Sequence, residues 1–173
     1  PVAELMFVDF LGVCLDQLLN QIAKFRYMFG GQARTPVVIR TMIGAGAGTG
    51  PQHSQILYPM LAAIPGIKVV VPSNAADAKG LLAEAIRQDD PVVFCEHKAL
   101  YMEECDVPDG EYVIPFGQAR TVITGTDITV VAMSRMVMFA EAAARQLASD
   151  GISVEVIDPR TLSPLDDEAI LAS

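Results

Sequence analysis

Gln52-His53-Ser54-Gln55 is the stretch whose side chains could most directly do chemistry. It closes a glycine-rich run, Gly44-Ala45-Gly46-Ala47-Gly48-Thr49-Gly50-Pro51, that follows the apolar segment Pro36-Val37-Val38-Ile39-Arg40. A short β-branched run reads as a buried parallel strand. Glycines after it let the backbone turn tightly and come close to a ligand. His53 therefore lies beyond the carboxyl end of a strand, where open α/β sheets bind their ligands. The competing reading is a loop histidine that caps or packs. The run is no phosphate cradle: Gly-Lys-Ser/Thr does not follow, and the spacing is GxGxGxG rather than GxGxxG. A flexible loop lining a pocket fits better.

Other residues carry two readings each. Met6 and Phe10 lie at the end of the first predicted strand, four residues apart. They are either core packing or an apolar shelf for a flat aromatic ligand. Arg40 ends a buried strand and needs a carboxylate or carbonyl partner; a structural ion pair is favoured over substrate contact. His97 follows Val93-Phe94-Cys95-Glu96 with no glycine loop, which favours a structural or interface role. Asp158, Arg160 and Asp166 sit in a stretch read as a loop at a strand end, with hydrogen bonding local to that loop.

The elements that must position these groups alternate. Strands are predicted over 3–8, 36–40, 67–71, 91–95, 128–133 and 153–157. Helices are predicted over 11–29, 55–63, 75–88 and 136–148, and a further one from about Asp166. Asn74 is the expected N-cap of the 75–88 helix, with Asp77 in capping-box position. Alternation of this kind gives a mostly parallel sheet with helices on both faces. Residues 99–117 break it with Glu103, Glu104, Asp106, Pro108, Asp109, Gly110 and Pro115, which reads as an acidic linker. The division is 1–98, then the linker 99–117, then part of a second α/β unit over 118–173.

Composition narrows the function classes. Apolar residues are 51% and charged residues 19% of 173, enough for a core and against wholesale disorder. A net charge of −9 argues against nucleic acid and against an anionic membrane surface. No apolar run is long enough to span a bilayer. Cys14, Cys95 and Cys105 have no CxxC spacing, so no metal site is expected, and a reducing cytoplasm is the expected compartment. The chain opens at Pro1 directly into strand-like residues and closes at Ser173 inside a predicted helix. We therefore expect a piece of a longer protein.

Taken in order, Ala3-Glu4-Leu5-Met6-Phe7-Val8-Asp9-Phe10, Asp16-Gln17-Leu18-Leu19-Asn20, Ala23-Lys24-Phe25-Arg26-Tyr27, Gln52-His53-Ser54-Gln55, Pro65-Gly66-Ile67-Lys68-Val69-Val70, Asp77-Ala78-Lys79-Gly80-Leu81 and Arg160-Thr161-Leu162-Ser163-Pro164-Leu165-Asp166 resemble one family. It is the beta subunit of the decarboxylating component of 2-oxo acid and acetoin dehydrogenase complexes, within the wider transketolase group. The resemblance implies the later part of a transketolase-like pyrimidine-binding domain followed by the early part of its C-terminal domain. It implies thiamine diphosphate at an interface with an alpha subunit, which holds the diphosphate and Mg²⁺ by a Gly-Asp-Gly…Asn motif that does not occur here. By matched position, Met6 and Phe10 would line the aminopyrimidine ring pocket, and His53 would face the reacting end of cofactor and substrate. It further implies a second beta subunit, a lipoyl acyltransferase core, and a 2-oxo acid or acetoin as substrate. The family's ring-contacting glutamate lies upstream of Pro1, and Pro159 stands where an aliphatic residue is expected. Two alternatives stay open: another transketolase-group enzyme, such as a deoxyxylulose-phosphate synthase, and a non-catalytic assembly module.

Overall fold

A computed structural model describes residues 1–173. In chain order the elements are β1 (Val2–Phe7), α1 (Phe25–Met28), β2 (Val38–Ile43), α2 (Tyr58–Ala62), β3 (Lys68–Val70), α3 (Ala75–Arg87), β4 (Val92–His97), β5 (Arg120–Ile123), β6 (Ile128–Val131), α4 (Met136–Ala148), β7 (Val154–Asp158), β8 (Thr161–Ser163) and α5 (Asp167–Ala172). They form two sheets. The larger has the order β1-β2-β4-β3-β8, and the smaller β5-β7-β6. β1, β2, β4 and β3 run parallel, and β8 joins β3 antiparallel. In the smaller sheet β6 is parallel and β5 antiparallel to β7.

The central strands are apolar throughout because both faces are covered. On β4, Val93 and Cys95 enter one core, with Val8, Leu11, Leu18, Ile43, Leu61 and Val69. Val92 and Phe94 enter the other, with Val38, Val70, Leu81 and Ala85 of α3. The alternation is the pleat itself: successive side chains point to opposite faces. Helices on both faces, as predicted, is what the structure has. α4 covers the smaller sheet through Ala144 against Val154 and Val156.

Three expectations are corrected. The single helix predicted over 11–29 is not one α-helix: Val8–Cys14 is wound as a 3-10 helix, Leu15 and Asp16 as α-helix and Gln17–Ile22 as a π-helix, and after a turn at 23–24 Phe25–Met28 is α-helical. Apolar spacing specifies which residues face the core, while packing chooses the winding. The tight 3-10 start leaves β1 without a turn and still buries Val8 and Leu11. Second, Thr161–Ser163 is a strand rather than loop, since it pairs with Val69 and Val70 far away in sequence. β5 is a strand that local pattern does not predict; its partner is β7, reached across the whole α4 unit. Third, Asp158 and Arg160 bond far beyond their own loop. Asp158 is fully buried and accepts from Ser73 Oγ at 2.5 Å and from the Arg160 amide at 3.0 Å. Arg160 Nη2 lies 2.9 Å from Asp77, and Arg120 lies 3.4 Å from Asp77 and 3.5 Å from Asp158. Burial pushes the Asp158 carboxyl above the usual carboxylate range, against the pull of Ser73, the Arg160 amide and Arg120. Asp166 caps α5 through the Ala169 amide and also accepts from the Ala119 amide at 2.7 Å.

Residues 99–117 form a strap on α3. Tyr112 donates its hydroxyl to the Ala76 carbonyl at 2.7 Å, and the Ile114 amide donates to the Gly80 carbonyl at 3.1 Å. Gly80 permits this: a Cβ there would lie 2.7 Å from both Tyr112 and Ile114.

Candidate active site

β2 ends at Ile43, and the chain then makes a closed loop. The Gly44 amide donates to the Gln55 carbonyl at 2.9 Å, so the loop's two ends meet. Gly44 has φ 86°, and a Cβ on it would strike the His97 imidazole, so the position needs glycine for two reasons. Pro51–His53 forms one 3-10 turn with proline at its start, where a missing amide costs nothing. The Ser54 hydroxyl donates to the Gly50 carbonyl at 2.7 Å and closes that turn.

The turn presents the His53 imidazole to two aromatic rings. Phe7 meets it edge-on with centroids 4.6 Å apart, and Phe10 at 5.4 Å. Phe10 keeps 44% of its surface exposed and Met6 61%, so neither is core. Core burial is thereby displaced for both, and they are exposed apolar residues. Met6 lies where the β1–β2 register shifts between Leu5 and Phe7. Irregularities of this kind are common beside active sites, where they re-aim a side chain. Phe10 and His53 are thus brought together. Met6 precedes Phe7 on β1 and is exposed, while the aromatic contacts to His53 come from Phe7 and Phe10.

Three neighbours were not read from the sequence as parts of this site. From the sequence Phe7 reads as strand material only. Asp9 Oδ1 accepts from the Ser54 and Gln55 amides at 3.2 and 3.0 Å. Burial raises the Asp9 carboxyl, but bonds from Gln55, its own amide and Ser54 outweigh that and hold it below the usual carboxylate range. Lys98 Nζ donates to the His53 carbonyl and, at 2.8 Å, to Thr49 Oγ1. Its only sequence signal was its place directly after a strand-end histidine.

Arg40 and His97 take structural roles. Arg40 binds Glu96 through Nε at 2.9 Å and Nη2 at 2.8 Å, and Glu4 lies 3.5 Å away. The bond to Glu96 holds the guanidinium above its ordinary pKa despite its burial. Tyr101 donates its hydroxyl to the same Glu96 at 2.7 Å. His97 is buried and its Nδ1 accepts from the Ala99 amide at 3.2 Å. Burial first, then Arg135 and Lys98, holds His97 below its ordinary pKa. A separate concavity of about 740 Å³ lies between Ile22, Arg26, Gly66, Lys68 and Asp90. It sits where β3 and β4 begin, at the opposite end of the sheet from His53, and holds no histidine or cysteine.

Residues 1–104 match the family model for the transketolase pyrimidine binding domain, and residues 117–173 the model for the transketolase C-terminal domain. The whole chain is 58% identical to the beta subunit of acetoin:2,6-dichlorophenolindophenol oxidoreductase of Cupriavidus necator and 53% identical to that of Bacillus subtilis, covering 51% of each. It is 45% identical to the beta subunit of the pyruvate dehydrogenase E1 component of Bacillus subtilis, covering 54% of it. The chain thus spans about half the length of the curated relatives it matches. A solved split-gene transketolase, described as an inactive beta4 tetramer, superposes over 100% of this chain and 53% of its own. The TM-score is 0.82 and the identity 26%.

Proposed function

The chain belongs to the family of transketolase pyrimidine-binding domains, and from that premise we propose that it is the beta-subunit portion of a thiamine-diphosphate-dependent dehydrogenase of the acetoin or pyruvate type. The observation that carries the reading is His53, held beyond the carboxyl end of β2 against Phe7 and Phe10. In this reading the enzyme cleaves or decarboxylates its substrate and passes the acyl group to a lipoyl carrier. The identities of 58% and 53% to two acetoin oxidoreductase beta subunits, against 45% to a pyruvate dehydrogenase beta subunit, support acetoin first.

The site's residues fit the cofactor's ring end. Phe10 leaves apolar surface open beside His53, and Met6 is exposed near the end of β1; a flat heteroaromatic ring is what an apolar shelf of this kind would cover. When bound, the thiazolium serves as an electron sink for a carbanion next to the former carbonyl. This chain's part is narrower. Met6 and Phe10 orient the ring and exclude water. His53 donates or accepts a proton at the substrate-derived oxygen, a task suited to imidazole. The family resemblance assigns diphosphate and Mg²⁺ to an alpha partner. A second beta subunit and a lipoyl acyltransferase core complete the assembly, and the compartment is the cytoplasm. The working division is 1–98, 99–117 and 118–173, supported by family matches over 1–104 and 117–173.

The test is turnover by the full-length chain with its alpha partner on acetoin, pyruvate and branched-chain 2-oxo acids. Thiamine-dependent turnover, fastest on acetoin, is expected. No turnover on any of the three overturns the reading.

A further inference from the structure

The peptide group that follows His53 is gripped at both poles by opposite charges. Its carbonyl oxygen, on His53, accepts from the Lys98 ammonium. Its N–H, on Ser54, donates to the Asp9 carboxylate at 3.2 Å. The next amide, Gln55, donates to the same Asp9 oxygen at 3.0 Å. We infer that Asp9 and Lys98 are positioning residues that fix the His53 imidazole by clamping this peptide plane. The inference rests on the assignment of His53 to the chemistry and deepens it.

Sheet order explains the clamp. β2 lies between β1 and β4, and all three run parallel. The segments leaving their carboxyl ends are therefore neighbours in space. Asp9 comes two residues after β1 ends at Phe7, and Lys98 one residue after β4 ends at His97. Each reaches the His53 loop from one flank. A peptide unit is planar, so holding its oxygen and its N–H fixes its orientation. The His53 amide on the other side donates to the Gly50 carbonyl at 3.3 Å. With the backbone fixed before and after its Cα, His53 keeps only side-chain torsions, and the Phe7 and Phe10 edges limit those. Lys98 also lies 5.6 Å from the Phe7 ring centre, so one cation ties the carbonyl to the ring that packs on the imidazole. Hydrogen bonds to charged groups are the stronger kind. Neutral partners would serve a merely capped loop, and two charges of opposite sign on one peptide point to orientation.

The test uses the full-length chain with its alpha partner. In Asp9→Ala, amide exchange at Ser54 and Gln55 is expected to rise by about tenfold or more, with β2 and β4 unchanged. kcat is expected to fall on the order of 10²-fold, the cost of a reacting group displaced by about 1 Å, with cofactor affinity unchanged. Asp9→Asn, which keeps an acceptor oxygen, restores part of both. In a His53→Ala background, Asp9→Ala is expected to cost no further kcat, because it acts through His53. Unchanged exchange at Ser54 and Gln55, or an undiminished kcat loss in the His53→Ala background, overturns the clamp. If Asp9→Ala does not fold, Lys98→Met decides the same way on Ser54 exchange and on the kcat cycle. If His53→Ala alone keeps wild-type turnover, the catalytic reading of His53 fails, and exchange at Ser54 and Gln55 then decides the clamp by itself.

Discussion

Removing the Asp77 carboxylate should cost more stability than any surface charge in the chain. Asp77 is 6% exposed at its side chain and faces two guanidiniums, Arg160 at 2.9 Å and Arg120 at 3.4 Å. Arg160 is 15% exposed and stands at φ 62°, the left-handed region that non-glycine residues rarely adopt. Such a conformation costs about 1–3 kcal/mol and persists only where surroundings over-determine it. Here the surroundings are Asp77 on its guanidinium and Asp158 on its amide. Asp77→Ala strips the partner from a mostly buried cation, which typically costs about 3–5 kcal/mol. Asp158 stays beside Arg120, so we take the lower end, about 3 kcal/mol. For a chain of this length, at about 2–4 °C per kcal/mol, that is a fall in Tm of about 6–12 °C. Thermal and urea melts of Asp77→Ala, Arg160→Ala and the double variant provide the measurement, and the two losses should overlap by about 1 kcal/mol or more. The control is Arg34→Ala, whose partner Asp89 is half exposed; it should change stability by less than about 1 kcal/mol. A loss below about 1 kcal/mol for Asp77→Ala, or strict additivity with Arg160→Ala, would refute a buried charge cluster.

Gly44→Ala should destabilise by at least about 1 kcal/mol, since it adds a Cβ at φ 86° against the His97 ring; a melt unchanged from the parent would contradict the packing described. His97 is held neutral by burial and by Arg135 and Lys98, so its folded pKa lies below the ordinary 6.5. The unfolded chain then binds the extra proton first. Its contribution to stability is full above 6.5 and declines as pH falls from there to the folded value. Urea midpoints across pH 5–8 for the parent and His97→Gln should show the slope in the parent alone. His53→Ala in the full-length enzyme should lower kcat by on the order of 10²–10⁴-fold and spare cofactor affinity; near-parental turnover, or a loss wholly explained by stability, would remove His53 from the chemistry.

How much of this was legible depended on range. α4 was read over 136–148, the span it occupies, because its apolar spacing and the Asp150-Gly151 stop are both local. Asn74 was read as the N-cap of α3 for the same reason, and its side chain accepts from the Asp77 amide at 2.8 Å. Asp77 itself was read as a dipole and capping residue. That reading was incomplete, because its partners Arg120 and Arg160 are set by how two sheets meet. Asp9 looked like an ordinary residue after a strand; the bonds that give it a role reach 45 and 46 residues along the chain. Local pattern names an element, and only sheet order names the neighbours of its ends.

That order divides the carboxyl ends into two groups with different work. β1, β2 and β4 are adjacent, so their following segments meet and assemble Phe7, Asp9, Phe10, His53 and Lys98. β3 comes between β2 and β4 in sequence but lies beyond β4 in the sheet. Its following segment, with Ser73 and Asn74, is therefore kept away from His53 and turned toward the second unit. There Ser73 reaches Asp158 of β7, Asp77 reaches Arg160, and β8 crosses over to pair with β3. The same parallel sheet thus gathers the ends of three strands around His53 and turns the end of the fourth to its own second half. A substitution in the charge cluster should accordingly report on stability. A substitution around the His53 peptide should report on rate.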